Sequence, residues 1–72
     1  MFGEELRKAR VRAGLTQQEL AVRAGLHYTY VNQLEHDRYS PTLNAFFRIC
    51  DALMVSPARL IGRIDKRRKK PS

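Results

Sequence analysis

The sequence predicts an all-α fold, a compact single domain of five helices. Apolar residues recur with the helical period of about 3.6 residues along most of the chain. Residues that favour a helix start precede three of these stretches, at Thr16, Thr42 and Ser56. Gly14 and Gly25 stand where a left-handed residue ends a helix. A chain of 72 residues has room for one modest core, so we expect no second folded domain.

The first predicted helix carries a charged residue within its apolar face. That face consists of Phe2, Leu6, Ala9 and Ala13. Arg10 lies in its middle, and Glu35 lies at the margin of the apolar face of the third predicted helix. Because a charge removed from water needs a partner, we predict that Arg10 and Glu35 form an ion pair. The functional alternative for Arg10 is a phosphate contact.

The second and third predicted helices are joined by a sharp turn at Gly25. Thr16 and Glu19 have the spacing of a capping box at the start of the second helix. Its inward residues are Leu20, Ala21 and Ala24. The third helix is predicted from about residue 28 to residue 36, with His27 at the capping position. Leu26 and Val31 on either side are spaced as a hydrophobic staple.

The third predicted helix has two chemically distinct faces. Its buried face consists of Tyr30, Val31 and Leu34. Its polar face consists of Tyr28, Thr29, Asn32, Gln33 and His36, and it contains no acidic residue. Solubility alone would favour lysine and glutamate, which are better helix formers. Amide side chains can pair with the N6 and N7 atoms of adenine, and threonine can contact a base or a phosphate, so this face favours DNA reading.

The segment from Gly14 to Glu35 resembles the helix-turn-helix of the Cro, phage-repressor and xenobiotic-response-element (XRE) family. The matching positions are Arg10, Gly14, Leu15, Thr16, Gln17, Glu19, Leu20, Ala21, Ala24, Gly25, Val31, Leu34, Glu35, Pro41, Leu43, Ile49, Ala52, Leu53, Val55 and Ser56. The resemblance spans about residues 6 to 60, and it extends to small stand-alone regulators such as restriction-modification controller proteins. It implies a five-helix lambda-repressor-like domain whose helices 2 and 3 form the motif.

The resemblance also implies a function and a set of DNA contacts. We expect a transcription regulator, a repressor or an autoregulator, that binds an inverted repeat in double-stranded DNA as a homodimer. The expected base-reading residues are Tyr28, Thr29, Asn32, Gln33 and His27, although the imidazole of His27 can instead cap the helix. The expected phosphate-binding residues are Thr16, Gln17, Gln18, His36, Arg38, Tyr39 and Ser40. The matching family glutamine both binds phosphate and supports the recognition helix, which implies the same two roles for Gln17.

The fourth and fifth predicted helices carry more apolar surface than one core requires. The fourth runs from about residue 43 to residue 54, and Leu43, Phe46, Ile49 and Leu53 match core positions of the family. Met54 stands where glycine is common in the family, so the helix end is either strained or built differently. The expected dimer interface is Phe47, Met54, Pro57, Ala58, Ile61 and Ile64, unless these residues merely complete the monomer core. An additional protein partner, as for an antitoxin or adaptor, is the main competing interpretation.

The net charge of +7 is concentrated at the carboxyl end of the chain. Residues 63–72 contain six Lys or Arg and one Asp, a net +5, whereas residues 1–62 carry +2. We therefore expect a DNA-binding domain over residues 1–62 and a basic, flexible tail over residues 63–72. The tail is either a solubilising end or an arm that adds phosphate contacts.

Several other classes of function are disfavoured by the sequence. The single cysteine, Cys50, lies within an apolar helical pattern and indicates packing in a reducing compartment. His27, His36 and Cys50 lack a metal-binding spacing, and no nucleophile with an evident base is present, so we expect neither a metal, a cofactor nor an enzyme. No signal peptide or membrane span is evident, which predicts a cytoplasmic protein without a membrane partner. We expect no ligand-sensing domain, and hence no small-molecule partner.

Overall fold

A computed structural model describes residues 1–69 and contains five helices and no strand within that range. The helices are α1 (Phe2–Arg12), α2 (Gln17–Ala24), α3 (Tyr28–Glu35), α4 (Leu43–Leu53) and α5 (Pro57–Arg68). The predicted all-α fold and the helix-turn-helix formed by α2 and α3 are confirmed. None of the helices in residues 1–69 combines the length and apolar character needed to cross a membrane.

The core lies where α1, α2, α3 and α4 meet. Its fully buried members are Leu6, Leu20, Val31, Leu34 and Ile49. Phe46, Cys50 and Leu60 form a second buried cluster between α4 and α5, with Phe2 packed against both clusters. Burial raises the pKa of the Cys50 thiol, which suits a packing role for this residue.

The turn between α2 and α3 has the predicted local structure. The Thr16 hydroxyl accepts a hydrogen bond from the Glu19 amide, and the Glu19 carboxylate accepts one from the Thr16 amide, which completes the capping box. Gly25 ends α2 with φ of 68°, in the left-handed region. The Leu26 amide then donates to the Ala21 carbonyl, which closes the helix end. These contacts set the direction in which α3 leaves the turn.

The expected core position of Leu43 is wrong. Its side chain is 69% exposed, whereas Phe46, Ile49 and Leu53 are buried as expected. Leu43 is the first residue of α4, directly after the Thr42 cap, and no other helix covers this end. Tyr30, expected to be buried, is half-buried at the edge of the core.

The boundary expected after Gly62 does not coincide with the end of a helix. α5 continues through Gly62 to Arg68, so the first six residues of the expected tail are helical. Two contacts hold this extension, since Ile64 packs on the second cluster and the Arg67 guanidinium donates to Glu4 and Glu5. The last three residues of the expected tail lie outside the described residues.

Met54 ends α4 in the left-handed conformation, with φ of 56° and 90% of its side chain exposed. The helix therefore closes as it would with glycine, and the Val55 amide donates to the Cys50 carbonyl. A left-handed residue with a Cβ costs about 1–2 kcal/mol. The sequence allowed either a strained end of α4 at Met54 or a different kind of helix end, and the structure has the strained end.

Candidate nucleic-acid interface

The outward face of α3 presents the polar side chains that the sequence assigned to it. Tyr28 is 48% exposed, Thr29 and His36 are exposed, and Asn32 and Gln33 are partly exposed. The opposite face is held by Val31 and Leu34, which are fully buried. Because the buried face anchors α3 against the core, the polar side chains on the opposite face point away from the core in a defined direction.

A buried ion pair lies beneath this face. Arg10 Nε donates to Glu35 Oε2 at 2.5 Å, and Arg10 Nη2 donates to Glu35 Oε1 at 3.1 Å. The side chains are 13% and 2% exposed. Arg10 Nη1 also donates to the Leu15 carbonyl, so the guanidinium holds α1, the next loop and α3 together. The structure therefore gives Arg10 the predicted structural partner.

Gln17 extends the ion pair to the surface of α3. Its Nε2 donates to Glu35 Oε1 at 3.0 Å, and its Oε1 accepts from Asn32 Nδ2 at 3.1 Å. Within residues 1–69, every buried side-chain nitrogen and oxygen has a hydrogen-bond partner. The first residue of α2 thus supports α3 through a continuous set of hydrogen bonds. The contact between Gln17 and Asn32 was not foreseen from the sequence.

The residues expected to bind phosphate form two groups, one at the start of α2 and one after α3. Thr16, Gln17 and Gln18 line an open cleft of about 600 Å³ at the start of α2, together with Tyr28. The first turn of a helix favours anions, which suits a phosphate at this end. The second group consists of His36, directly after α3, and the exposed loop residues Arg38, Tyr39 and Ser40.

The two histidines of the chain lie at opposite ends of α3. His27 occupies the capping position, but within residues 1–69 its side chain makes no cap hydrogen bond. The imidazole is exposed beside Tyr28, so the capping alternative for His27 is not observed. His36 Nδ1 lies 2.8 Å from the Asn32 carbonyl oxygen, which orients its ring at the end of the helix.

Gly3 and Asp37 position the loop after α3, and sequence reasoning missed both residues. A Cβ on Gly3 would lie 2.3 Å from the Glu35 carbonyl oxygen, so only glycine allows α1 to approach α3 this closely. Asp37, with φ of 56°, accepts hydrogen bonds from the Gly3 amide and the Met1 amino group. The available signal was a glycine in the first turn of a helix, where a better helix former is usual.

Comparison with known proteins agrees with the geometry in identifying a helix-turn-helix. A family model described as "Helix-turn-helix" matches residues 6–60, which is most of the chain. The chain belongs to this family. Its members of the XRE type are DNA-binding transcription regulators and are not enzymes.

Three relatives illustrate the similarity. An uncharacterized HTH-type transcriptional regulator, y4dJ of Sinorhizobium fredii, is 32% identical over 66 residues, covering 92% of this chain and 86% of the relative. Control protein C.BamHI of Bacillus amyloliquefaciens is 31% identical over 62 residues, covering 85% and 76%. The crystal structure of the restriction-modification controller protein C.AhdI from Aeromonas hydrophila superimposes with a TM-score of 0.79 at 34% identity, covering 82% and 89%.

The helix-turn-helix domain also has an apolar groove away from the α3 face. It is lined by Phe2, Pro41, Leu43, Phe46, Ile61 and Ile64. Ile61 and Ile64 were expected at a dimer interface, and Leu43 was not. Met54, also expected there, instead lines a different pocket with Arg59 and Arg63. The remaining expected interface residues are the exposed Phe47 and Ala58 and the half-buried Pro57.

Proposed function

We propose that this helix-turn-helix protein is a sequence-specific regulator, a repressor or an autoregulator, that binds an inverted repeat in double-stranded DNA as a homodimer. The observation that carries the proposal is the outward face of α3. It offers hydrogen-bond donors and acceptors without a carboxylate, on a helix that is anchored by the fully buried Val31 and Leu34. Such a helix fits the major groove, where base edges present the matching pattern of donors and acceptors.

The contacts divide into those that read bases and those that position the protein. Thr29, Asn32 and Gln33 occupy the middle of the exposed face, with Tyr28 and His27 at its start. The two flanking groups, Thr16 to Gln18 and His36 to Ser40, bind phosphates on either side of the groove. Backbone contacts fix orientation and supply affinity, whereas the central residues supply discrimination between bases.

The apolar groove between α4, α5 and the loop before α4 supports the proposed homodimer. Leu43 and Ile61 are 69% and 51% exposed, and a second copy covering the groove would bury both. Two recognition helices would then enter successive major grooves on one side of the duplex. The half-sites of the operator should lie one helical turn apart, about 34 Å between centres.

Base reading is tested by measuring binding of Asn32→Ala and Gln33→Ala variants to a selected site and to random duplex at several salt concentrations. Asn44→Ala, an exposed asparagine on α4, is the matched control. We expect the α3 variants to lose preference for the selected site by about fivefold to a hundredfold, with folding retained. An unchanged preference in both variants would refute the assignment of these residues.

The competing function is a protein-interaction module, and the same apolar groove favours it. The variants Leu43→Glu and Ile61→Glu distinguish the homodimeric regulator from the protein-interaction module. Their oligomeric state is measured by sedimentation, and their DNA binding is measured on the same samples. Val22→Glu is the control, because Val22 is an exposed apolar residue on α2. Loss of dimer and of operator binding in both groove variants supports the homodimer. A retained dimer with retained DNA binding would show that the groove is not the dimer interface and would favour the competing function.

A further inference from the structure

We propose that the buried Glu35 carboxylate dictates, through Gln17, which edge of the Asn32 amide faces the DNA. The ion pair in the core then determines which base Asn32 reads. This inference rests on the proposed function, because it takes Asn32 as a base-reading residue. It assigns Glu35 as a positioning residue for base specificity that acts through Gln17, in addition to its structural contact with Arg10.

The direction of the hydrogen bonds begins at Glu35. Its ionised carboxylate can only accept, and Arg10 holds it through both oxygens, so its position is fixed. Gln17 must therefore turn its Nε2 toward Glu35, where the donor lies 3.0 Å from Oε1. A reversed Gln17 amide would place its carbonyl oxygen against the carboxylate, which is repulsive.

The orientation of Gln17 then fixes that of Asn32. Gln17 Oε1 faces α3 and can only accept, so Asn32 contributes its Nδ2 at 3.1 Å. Asn32 Oδ1 is consequently left for other partners, together with the second hydrogen of Nδ2. A reversed Asn32 amide would bring two carbonyl oxygens together. The Asn32 amide thus has one favoured orientation, although an isolated asparagine on a helix surface would have two.

The favoured orientation selects a class of base. An available Oδ1 accepts a hydrogen bond from an exocyclic amino group, and adenine also offers N7 to the remaining Nδ2 hydrogen. A reversed amide would present only donors, which suits the O6 and N7 acceptors of guanine. We therefore expect adenine to be favoured over guanine at the base pair that Asn32 contacts.

The first test compares Gln17→Met with Gln18→Met on a complete set of single-base variants of the selected site. Methionine retains the length and helix propensity of glutamine but cannot form the two hydrogen bonds. Gln18, the exposed neighbour of Gln17, is the control for a phosphate contact alone: Gln18→Met should lower the affinity for every site variant by the same factor and leave discrimination between bases unchanged. The base pair read by Asn32 is the one at which Asn32→Ala loses discrimination.

We expect Gln17→Met to lose discrimination at that base pair by about fivefold or more, and at no other. The double variant with Asn32→Ala should discriminate no worse than Asn32→Ala alone. A Gln17 that only binds phosphate would lower affinity equally for every site variant, and that result would overturn the inference. A wild-type protein with no preferred site would instead refute the proposed function.

A second test examines the direction of the hydrogen bonds and includes a readout without DNA. In Glu35→Gln, residue 35 can donate to Gln17, so both amides can reverse and the preference should move toward guanine.

The side-chain NH2 signals of Asn32 in NMR spectra should shift in Gln17→Met and remain in place in Gln18→Met. Unshifted signals in Gln17→Met would overturn the inference, even if Glu35→Gln fails to fold.

Discussion

The α2–α3 half and the α4–α5 half of the molecule differ in how many buried charges and apolar side chains find a partner within the same chain. In the α2–α3 half, the capping box at Thr16 is formed, Gly25 supplies the turn, and the buried Glu35 is paired with Arg10 of α1. In the α4–α5 half, Leu43 is exposed and Met54 is strained. The buried charge of the α2–α3 half is therefore satisfied within one chain, whereas the α4–α5 half leaves Leu43 and Ile61 exposed on the groove that we propose a second copy covers.

The variant with the largest expected effect removes the charge pair of the α2–α3 half. Glu35→Ala should lower the free energy of unfolding by about 3–5 kcal/mol, because Arg10 would stay in a poorly solvated place without its partner. Urea denaturation measures this loss. Glu4→Ala is the control and should cost less than about 1 kcal/mol, because its ion pair is on the surface. Equal losses in the two variants would contradict the difference between buried and surface pairs.

Gly3→Ala probes the contact between α1 and the end of α3. The added Cβ would meet the Glu35 carbonyl oxygen at 2.3 Å, so we expect a loss of about 1–3 kcal/mol from the forced separation of the helices. Gly62→Ala in α5 is the matched control, since a Cβ there meets nothing within 4 Å. It should stabilise the protein by about 0.5–1 kcal/mol through helix propensity. A thermal melt of Gly3→Ala at or above the wild-type midpoint would show that the approach is not tight.

Met54→Gly relieves the strain in the α4–α5 half. We expect a gain of about 1 kcal/mol in the free energy of unfolding, because glycine adopts the left-handed conformation without a Cβ penalty. Met54→Ala keeps the Cβ and should give no such gain. If both variants have the same free energy of unfolding, strain at residue 54 does not lower the stability of the protein.

The smallest expected effect is the pH dependence of the α2 cap. The hydrogen bond from the Thr16 amide holds the pKa of Glu19 below its ordinary value of 4.5. The ionised form is favoured in the folded state, so its contribution is present above pH 4.5 and is lost as the pH falls through the lowered pKa. As the pH falls through that range, the free energy of unfolding of the wild type should decrease more than that of Glu19→Gln. A difference that does not change with pH would contradict this role for Glu19.

The sequence predicted the features that depend on neighbouring residues along the chain. Thr16, Thr42 and Ser56 cap their helices as expected, because a cap involves only the next three residues. The Arg10 and Glu35 pair is an exception: it joins distant segments, yet it was predictable because both charges lie within or beside apolar faces.

The features that were missed depend on contacts between distant segments. α5 extends past Gly62 because Arg67 reaches Glu4 and Glu5 at the other end of the chain. The hydrogen bond between Gln17 and Asn32 depends on the rotamers of two polar side chains, which periodicity does not specify. Leu43 matched a core position by pattern, yet its burial requires a covering element that the five helices do not provide.

The central claim, that the α3 face reads an inverted repeat, is tested most directly by selecting bound sequences from a random duplex library with the wild-type protein. The account predicts enrichment of two inverted half-sites whose centres lie about 34 Å apart. It also predicts that this enrichment disappears for the variant carrying both Asn32→Ala and Gln33→Ala. Enrichment of no sequence, or of the same repeat by that folded variant, would contradict the account.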